Sequence, residues 1–526
     1  MVDARQVFRE LKLHGLTLHS DALKRLLSEL TNQPTLHLDD VVFAIKNSID
    51  RSKLKSSVVS QDALESALDT LLNVSSDNDY QCIQVFNAFD QPKLIFHPST
   101  KTYEVSADPT RKLHASSAHR LSLFRERFSA LERRVLRHKS FSKPVAATSS
   151  SSRVESFQEI SRIESLLGVT GMKRVLGMLG QDERQQVYLE DMTSRIYLDI
   201  SEAKYTNGIF TSTCIVLVEG QVLDDVFHVE TIGSPPPELR EHSVQILSGV
   251  DPLGVEISAQ QLTQIQQLER NQELDCFVVL SDVHLDEPAV MARLDALFSG
   301  YEPFTPTLFI LMGNFTSSPV GYGYGAESKT IRTLKQHFDD LATLLLKYPA
   351  LVEKSQFLFV PGPDDPGAPH VLPRHPLPTM CTDDFVRRIP SAIMTSNPCR
   401  IRYYTKDLIV CRDDLQHKMT KHSLFRLPTH DGPSDDVSRH LVKTLVDQGH
   451  LCPLPIAARP IHWAYDSALQ MFPLPDVLIL ADKCKQFQVN YAGVSVFHPG
   501  PFHVDYSFVL YRPASNTAEV SRVDID

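Results

Sequence analysis

None of the eight cysteines stands in a C-x-x-C pair, which removes the spacing of a zinc ribbon and of a secreted disulfide framework. They read as free thiols, several of them inside apolar runs such as Cys276 before Phe277-Val278-Val279-Leu280, where a thiol serves as a small buried hydrophobe. No stretch approaches the ~18 apolar residues of a membrane helix. Met1-Val2-Asp3-Ala4-Arg5-Gln6 carries charge where a signal peptide would be apolar. No membrane partner is therefore expected, and the cytosol or nucleus is the expected location. Neither a G-x-x-x-x-G-K-[ST] phosphate loop nor a G-x-S-x-G elbow occurs; Gly321-Tyr322-Gly323-Tyr324-Gly325 reads as a surface loop. Positive charge is also short. Lys and Arg number 53 against 64 Asp and Glu, a net charge of −11, so the whole molecule repels a polyanion at long range.

What is present suits a globular protein of several parts. A hydrophobic fraction of 42% is ample for sizeable cores, and 526 residues exceed one ordinary core, so two to four units are expected. Residues 1–75 carry apolar side chains at three- and four-residue intervals, as in Leu23-Leu26-Leu27-Leu30 and Ala63-Leu64-Ala67-Leu68-Leu71-Leu72. That spacing predicts four short helices, with Ser20, Asp39 and Ser60 capping the second to fourth. A connecting segment over 76–156 holds a helix from Ala118 to about His138, and its Ser149-Ser150-Ser151-Ser152 run is a linker. Residues 157–272 form the next domain. Between Gly168 and Gly233, five short β segments (174–179, 186–190, 195–200, 213–218 and 226–231) suit a compact OB-type β-barrel, with a small sandwich giving the same period. A connection with one polar helix around 259–271 follows. From 273 to 526, strands and helices alternate in the rhythm of an α/β layer protein. The fold class is thus multidomain α+β.

Three strand ends in the last domain finish in polar clusters: Ser281-Asp282-Val283-His284, Gly313-Asn314-Phe315 and Gly362-Pro363-Asp364-Asp365. In open α/β sheets, sites form at the carboxyl ends of strands. The order and spacing resemble the calcineurin-like metallophosphoesterases, which carry D-x-H, then G-D, then G-N-H with an acidic residue, then separate histidines around two metal ions. On that resemblance Asp282 and His284 survive. Asn314 replaces the bridging aspartate, Pro363 stands where a ligand asparagine belongs, and Asp364 takes the place of the catalytic histidine. His450 could match one later histidine, and Lys483 falls where a final G-H-x-H would be. The implied site has no catalytic residues, and neither a metal nor another cofactor is expected. Asp282 and His284 read as turn-capping residues, with weak single-ion binding as the sharper alternative.

This degenerate pattern behind an OB-like barrel resembles the B subunits of replicative DNA polymerases. Phe277–Val283, Phe359–Gly367, Asn397-Pro398-Cys399-Arg400-Ile401 and Gly449–Pro455 carry the likeness, and residues 1–75 resemble the AAA+ lid-like N-terminal domain of the DNA polymerase epsilon second subunit. The resemblance implies an inactive calcineurin-like phosphoesterase sandwich in a nuclear, non-catalytic scaffold supporting leading-strand replication. It implies binding to the C-terminal zinc region of the DNA polymerase epsilon catalytic subunit, a link to the replicative helicase assembly through the helical domain, and DNA contact only weakly or through the complex. Two other function classes are open: an active metal-dependent phosphodiesterase on Asp282 and His284, and a single-stranded DNA-binding protein using barrel aromatics Tyr188, Tyr197, Tyr205, Phe210 and Phe227. Arg133-Arg134-Val135-Leu136-Arg137-His138-Lys139 reads as a solvated helix face, with a nuclear-localisation or phosphate-binding patch as the alternative. His462-Trp463-Ala464-Tyr465, with the single tryptophan, suits a core position or a partner anchor equally.

Overall fold

A computed structural model describes residues 82–106, 111–142, 158–426 (apart from 167, 256, 258, 321–325 and 368–369) and 436–524, with positions 7, 12, 17–18, 22–26 and 58–59 before them. Of the helices expected in 1–75, positions 7, 12 and 22–26 are helical and the remainder lies outside the described residues, as do the serine run and the Gly321–Gly325 loop. The chain divides into two compact units, one of Met1–Gln84, Val255–Asp275 and Arg402–Lys406, the other of Val85–Gly254, Cys276–Ile401 and Asp407–Asp526. In the smaller unit, Thr17–Leu18 pairs parallel with Val58–Val59. Its helix Ala259–Arg270 places Glu269 to accept from the Thr405 amide at 3.2 Å, and Asp275 accepts from the Tyr403 hydroxyl at 2.6 Å.

In the larger unit, the short strand Val187–Glu190 buries every second residue, as a sheet packed on one face requires. Lys173–Gln181, Val187–Glu190 and Arg195–Asp199 pair in sequence; Val226–Gly233 then follows, and Ile215–Leu223 pairs with both Val226–Gly233 and Lys173–Gln181, so the sheet closes on itself. Leu179, Val216, Phe227 and Ile232 fill its interior. Lys204–Tyr205 adds a short strand where none is expected from the sequence.

The helix expected near Ala118–His138 runs over Ser117–Arg137. It is no bare connection: Phe128, Leu131 and Val135 pack on Leu176 and Ile215 of the closed sheet, each fully buried side chain of this kind contributing ~1.5–3 kcal/mol. Nor is its basic stretch, residues 133–139, a solvated face throughout: His138 and Lys139 are exposed, but Arg134 is buried. Arg127 and Arg134 are each 8% exposed, and Arg137 forms a two-pronged ion pair with Glu238 at 2.9 and 2.8 Å. The apolar stripe is wide enough to draw neighbouring arginine stems into the interface, where their heads find carboxylates and carbonyls.

The α/β part holds two sheets. In the first, Ala392–Met394, Gln356–Val360, Leu308–Met312 and Phe277–Ser281 run parallel, and Ser507–Arg512 and Thr517–Arg522 complete it antiparallel. Strands buried on both faces read as unbroken apolar runs, and Phe277–Ser281 and Leu308–Met312 are buried at every position. Helices Pro288–Tyr301, Ala326–Leu345 and Thr379–Arg388 contribute Leu294, Phe298, Phe338 and Phe385 to its core. In the second sheet, Phe487–Tyr491, Val494–His498, Val477–Ala481 and Lys406–Arg412 lie side by side.

Helix Val437–Gln448 starts where Asp436 accepts from the Ser438 amide at 3.0 Å and stops at Gly449 in left-handed conformation (φ 58°), the usual cap residues at each end. Its polar side chains join the α/β part to the closed sheet. His440 Nδ1 accepts from the Gly208 amide (2.9 Å), Thr444 from the Ile209 amide (2.7 Å), and Gln448 exchanges two 2.8 Å bonds with the Ile215 backbone.

Candidate functional site

Five strands end in polar residues that converge on one cluster, its centre buried and Lys483 exposed at its edge. Asp282 follows Phe277–Ser281, Asn314 follows Leu308–Met312, Asp364 and Asp365 follow Gln356–Val360, Arg412 closes Lys406–Arg412, and Lys483 follows Val477–Ala481. The structure brings Asp282, Asn314 and Asp364 together. Asn314 Nδ2 donates to Asp282 Oδ1 (3.3 Å) and to Asp364 Oδ2 (3.1 Å), while Asn314 Oδ1 accepts from the Asp364 amide (2.9 Å). Pro363 takes part only through its carbonyl, which accepts from Arg374 Nη1 at 3.1 Å.

Arg412, which sequence reasoning did not single out, sits at the centre. Its guanidinium is fully buried and is fixed on three sides. Nη2 meets Asp282 Oδ1 at 2.7 Å, Nη1 meets Asp414 Oδ1 at 2.8 Å, and Nε donates to the Gly313 carbonyl at 2.9 Å. A planar fork with five donors matches two carboxylates and a carbonyl in this way, whereas a point-like ammonium does not. Lys483 Nζ adds a second cation 3.2 Å from Asp364 and 3.6 Å from Asp414. Arg412-Asp413-Asp414 is itself a polar cluster at a strand end, the same signal that marked the other three, and could have been found that way.

The loops around the cluster are shaped by Asp365, whose two oxygens accept from the Phe315 amide (2.8 Å) and the Gly362 amide (2.7 Å). This closeness leaves no room for side chains. A Cβ on Gly313 would lie 1.9 Å from Asp365 Oδ2, and one on Gly362 would lie 2.4 Å from Asn314 Oδ1.

Two histidines are directed elsewhere. His284 Nδ1 lies 2.9 Å from Glu287 and its ring stacks on His503 at 3.9 Å. His450 belongs to a different cluster, with Nε2 3.2 Å from Asp466 and Nδ1 accepting from the Cys452 amide at 2.9 Å. Its position after Gly449 at the end of Val437–Gln448 points it toward the Ser117–Arg137 helix instead of the strand ends, a placement that only the packing of that helix decides. Among the described residues, no group of three or more His, Cys, Asp or Glu is arranged to hold a metal ion. Of the five aromatics considered for stacking bases, Phe210 and Phe227 are core and Tyr205 stacks on Phe425. Tyr188 and Tyr197 flank Arg195, 4.9 and 5.7 Å from the ring centres. Trp463 is half-buried with Arg120 over its ring.

The carboxylates titrate in opposite senses. Burial pushes Asp365 and Asp482 up to about 6; burial also opposes charge on Asp414, but Arg412 holds it below its ordinary value. From about pH 4 to 6 the native state therefore binds more protons at Asp365 and Asp482 than the unfolded chain, and their contribution to stability is lost as pH rises through that window. Asp414 acts oppositely: its contribution is present above the unfolded value and lost as pH falls. Asp482→Asn keeps an oxygen to accept from the Gln416 amide, a bond of 2.8 Å, and removes one titration. Its unfolding free energy relative to the parent should rise with pH by up to ~1.4 kcal/mol per unit across the window. Urea unfolding at pH 4.5 and 6.5 checks this, and a pH-independent difference contradicts it.

The family model for the B subunits of DNA polymerases alpha and epsilon matches residues 277–489, and that described as DNA polymerase epsilon subunit 2-like, OB-fold domain, matches residues 117–236. The second match takes in the Ser117–Arg137 helix as well as the closed sheet. The DNA polymerase epsilon subunit 2 of Mus musculus is 34% identical over 520 residues, covering 97% of both chains. That of Homo sapiens is 34% identical over 524 residues, again covering 97% of both. The DNA polymerase epsilon B subunit of Arabidopsis thaliana is 34% identical over 526 residues, covering 98% of both. An archaeal phosphodiesterase of solved structure aligns with 47% of this chain at 10% identity and a TM-score of 0.25, a likeness too slight to argue from. Agreement over nearly the whole length at about a third identity, with models matching both the OB-fold and α/β regions, places this chain in the DNA polymerase epsilon subunit 2 family.

Proposed function

We propose that this chain is a nuclear, non-catalytic accessory subunit of DNA polymerase epsilon, with residues 273–526 forming a phosphoesterase-like sandwich whose metal site has been dismantled. The observation that carries the reading is Arg412, seated between Asp282 and Asp414 at 2.7 and 2.8 Å. A guanidinium has no vacant coordination site, so it neutralises these carboxylates without coordinating a water and lowering its pKa as a divalent ion would. The residues present do not fit a two-metal centre. Asp282 Oδ1 is engaged by Arg412, Asn314 is neutral where a bridge needs charge, Pro363 has no donor atom, and Lys483 places a further positive charge beside Asp364.

On this reading, site positions Asp282, His284, Asn314, Pro363, Asp364 and His450 have structural work only. The 157–272 OB domain and the 273–526 sandwich together bind the C-terminal zinc region of the catalytic subunit. The 1–75 helical domain, beyond the 76–156 connection, meets the helicase assembly. Net charge of −11 suits a subunit whose DNA-binding surfaces lie in its partner.

The test has two arms. Tagged full-length chain captured from nuclear extract should bring down a much larger polymerase chain in near-stoichiometric amount. Alone, it should not hydrolyse bis-p-nitrophenyl phosphate with manganese, even in the triple variant Asn314→Asp, Pro363→Asn, Asp364→His, because Arg412 still occupies the centre. Manganese-dependent turnover of the unaltered chain that Asp282→Ala abolishes would overturn the reading.

A further inference from the structure

The buried face of the Ser117–Arg137 helix lines a second feature, remote in role from the strand-end cluster. A cavity of about 110 Å³ lies between this helix, the closed sheet and the segment after Gly449. Its walls carry Arg127, Arg133, Arg134 and Arg400 and no carboxylate, in a chain whose net charge is −11. Two of these arginines are committed: Arg127 to Asp466, and Arg400 through Nε to Gln91 Oε1 at 3.1 Å.

Four other buried polar atoms on the same walls have no partner: Arg133 Nε, Arg134 Nε, Gln91 Nε2 and Thr213 Oγ1. Arg134 is 8% and Gln91 7% exposed. The bond from Arg400 fixes the Gln91 amide, so its NH₂ is the end left without an acceptor. Arg133 is steadied by its guanidinium 4.5 Å over the Phe96 ring, and Arg134 by the carbonyls of Asp447 and Pro235. The carboxylates nearest Arg134 are already taken. Asp447 is paired with Lys443 and accepts from Tyr491 at 2.9 Å, and Glu238 is held by Arg137 at 2.8 Å. Burial consequently pushes the Arg134 guanidinium down to about 10.

Unmade bonds at buried donors cost the full desolvation of each group, and more for charged ones. Water relieves this poorly, because each molecule that accepts here brings its own protons into walls already rich in donors. An oxyanion accepts from every donor and donates to none, and guanidinium N–H groups suit its geometry. We propose that this cavity is an oxyanion site that takes a phosphate group, either free or as the terminal group of a mononucleotide, held by Arg133, Arg134, Gln91 and Thr213. The assignment is independent of the subunit's role in the polymerase.

Equilibrium dialysis of the full chain against radiolabelled inorganic phosphate, in excess sodium chloride, tests it. Saturable binding of one phosphate per chain is expected. Arg133→Gln and Thr213→Val should each weaken it about tenfold or more, the size of one lost charge-assisted bond, with the circular dichroism of the fold unchanged. Neither variant touches the two carbonyl bonds of Arg134, so both should fold. A parallel arm with deoxyadenosine monophosphate separates the sources: tighter binding than phosphate marks a nucleotide, weaker marks the free ion. No saturable binding of either, an adventitious ion only, or equal binding by parent and both variants overturns the proposal.

Discussion

Arg412→Met should lose about 3–5 kcal/mol of stability, the range for removing one partner of a buried ion pair and leaving the other uncompensated. The substitution keeps most of the side-chain volume, so the loss measures charge and hydrogen bonding in place of a cavity. Asp282 is 1% exposed and would keep only the Ser281 hydroxyl at 2.9 Å and the longer Asn314 contacts. Asp414 would retain Lys483, and the Gly313 carbonyl would lose its donor. Lysine at 412 preserves the charge but cannot reach three acceptors, so Arg412→Lys should fall between parent and methionine variant. Guanidinium chloride unfolding reads the order directly. Neutralising the partners as well, in Arg412→Met with Asp282→Asn and Asp414→Asn, should recover part of the loss, since the penalty lies in stranded charge. Equal midpoints for parent and Arg412→Met would show that the cluster carries no such burden.

A comparable loss is expected at a second buried ion pair. Asp466 accepts from Arg127 Nε at 3.0 Å and Nη2 at 2.5 Å and lies 3.2 Å from His450 Nε2. Burial opposes the charge, but Arg127 and His450 hold this carboxyl well below the usual range. Its contribution is therefore present above the ordinary aspartate value and lost as pH falls toward the native one. Asp466→Ala strands Arg127 in the interface and should cost about 3–5 kcal/mol, loosening the Ser117–Arg137 helix from the Trp463–Leu469 turn. A double-mutant cycle with Arg127→Met should return a coupling of at least ~2 kcal/mol. Additive losses would assign the effect to packing alone. Hydrogen exchange across residues 117–137 should rise in Asp466→Ala and remain unchanged in Arg412→Met, which separates the two clusters.

Strands buried on both faces are the easiest elements to read. Phe277-Val278-Val279-Leu280 and Gln356–Val360 need only a continuous apolar run between turn residues, and each strand lies where that run falls. Elements with weaker local signals escape such a reading. Arg240–Leu247 is eight residues long with no side-chain cap. Phe487–Tyr491 and Val494–His498 hairpin around Gly493 with an outer face that carries Gln488 and Asn490. Thr517–Arg522 is a largely exposed edge strand, and its pairing with Ser507–Arg512 supplies the order its composition lacks.

The candidate site divides in the same manner. Asp282, Asn314 and Asp364 each announce themselves as polar residues ending an apolar strand, and parallel pairing in register puts successive strand ends beside one another. Arg412 carries the same mark, but its role depends on how far a guanidinium reaches from one sheet to the strand ends of another. Arg127, Arg134 and His450 look like surface charges or a spare ligand until a helix from residue 117 packs across the closed sheet and brings Asp466 and the Asp447 carbonyl to them. By itself, then, the sequence determined the apolar runs, the strand-end clusters and the substitutions Asn314, Pro363 and Asp364, because these depend on a few consecutive residues. Only the tertiary structure decided which charges meet, because each of these buried cations takes a carboxylate from a distant segment, Asp282 lying 130 residues from Arg412 and Asp466 lying 339 residues from Arg127.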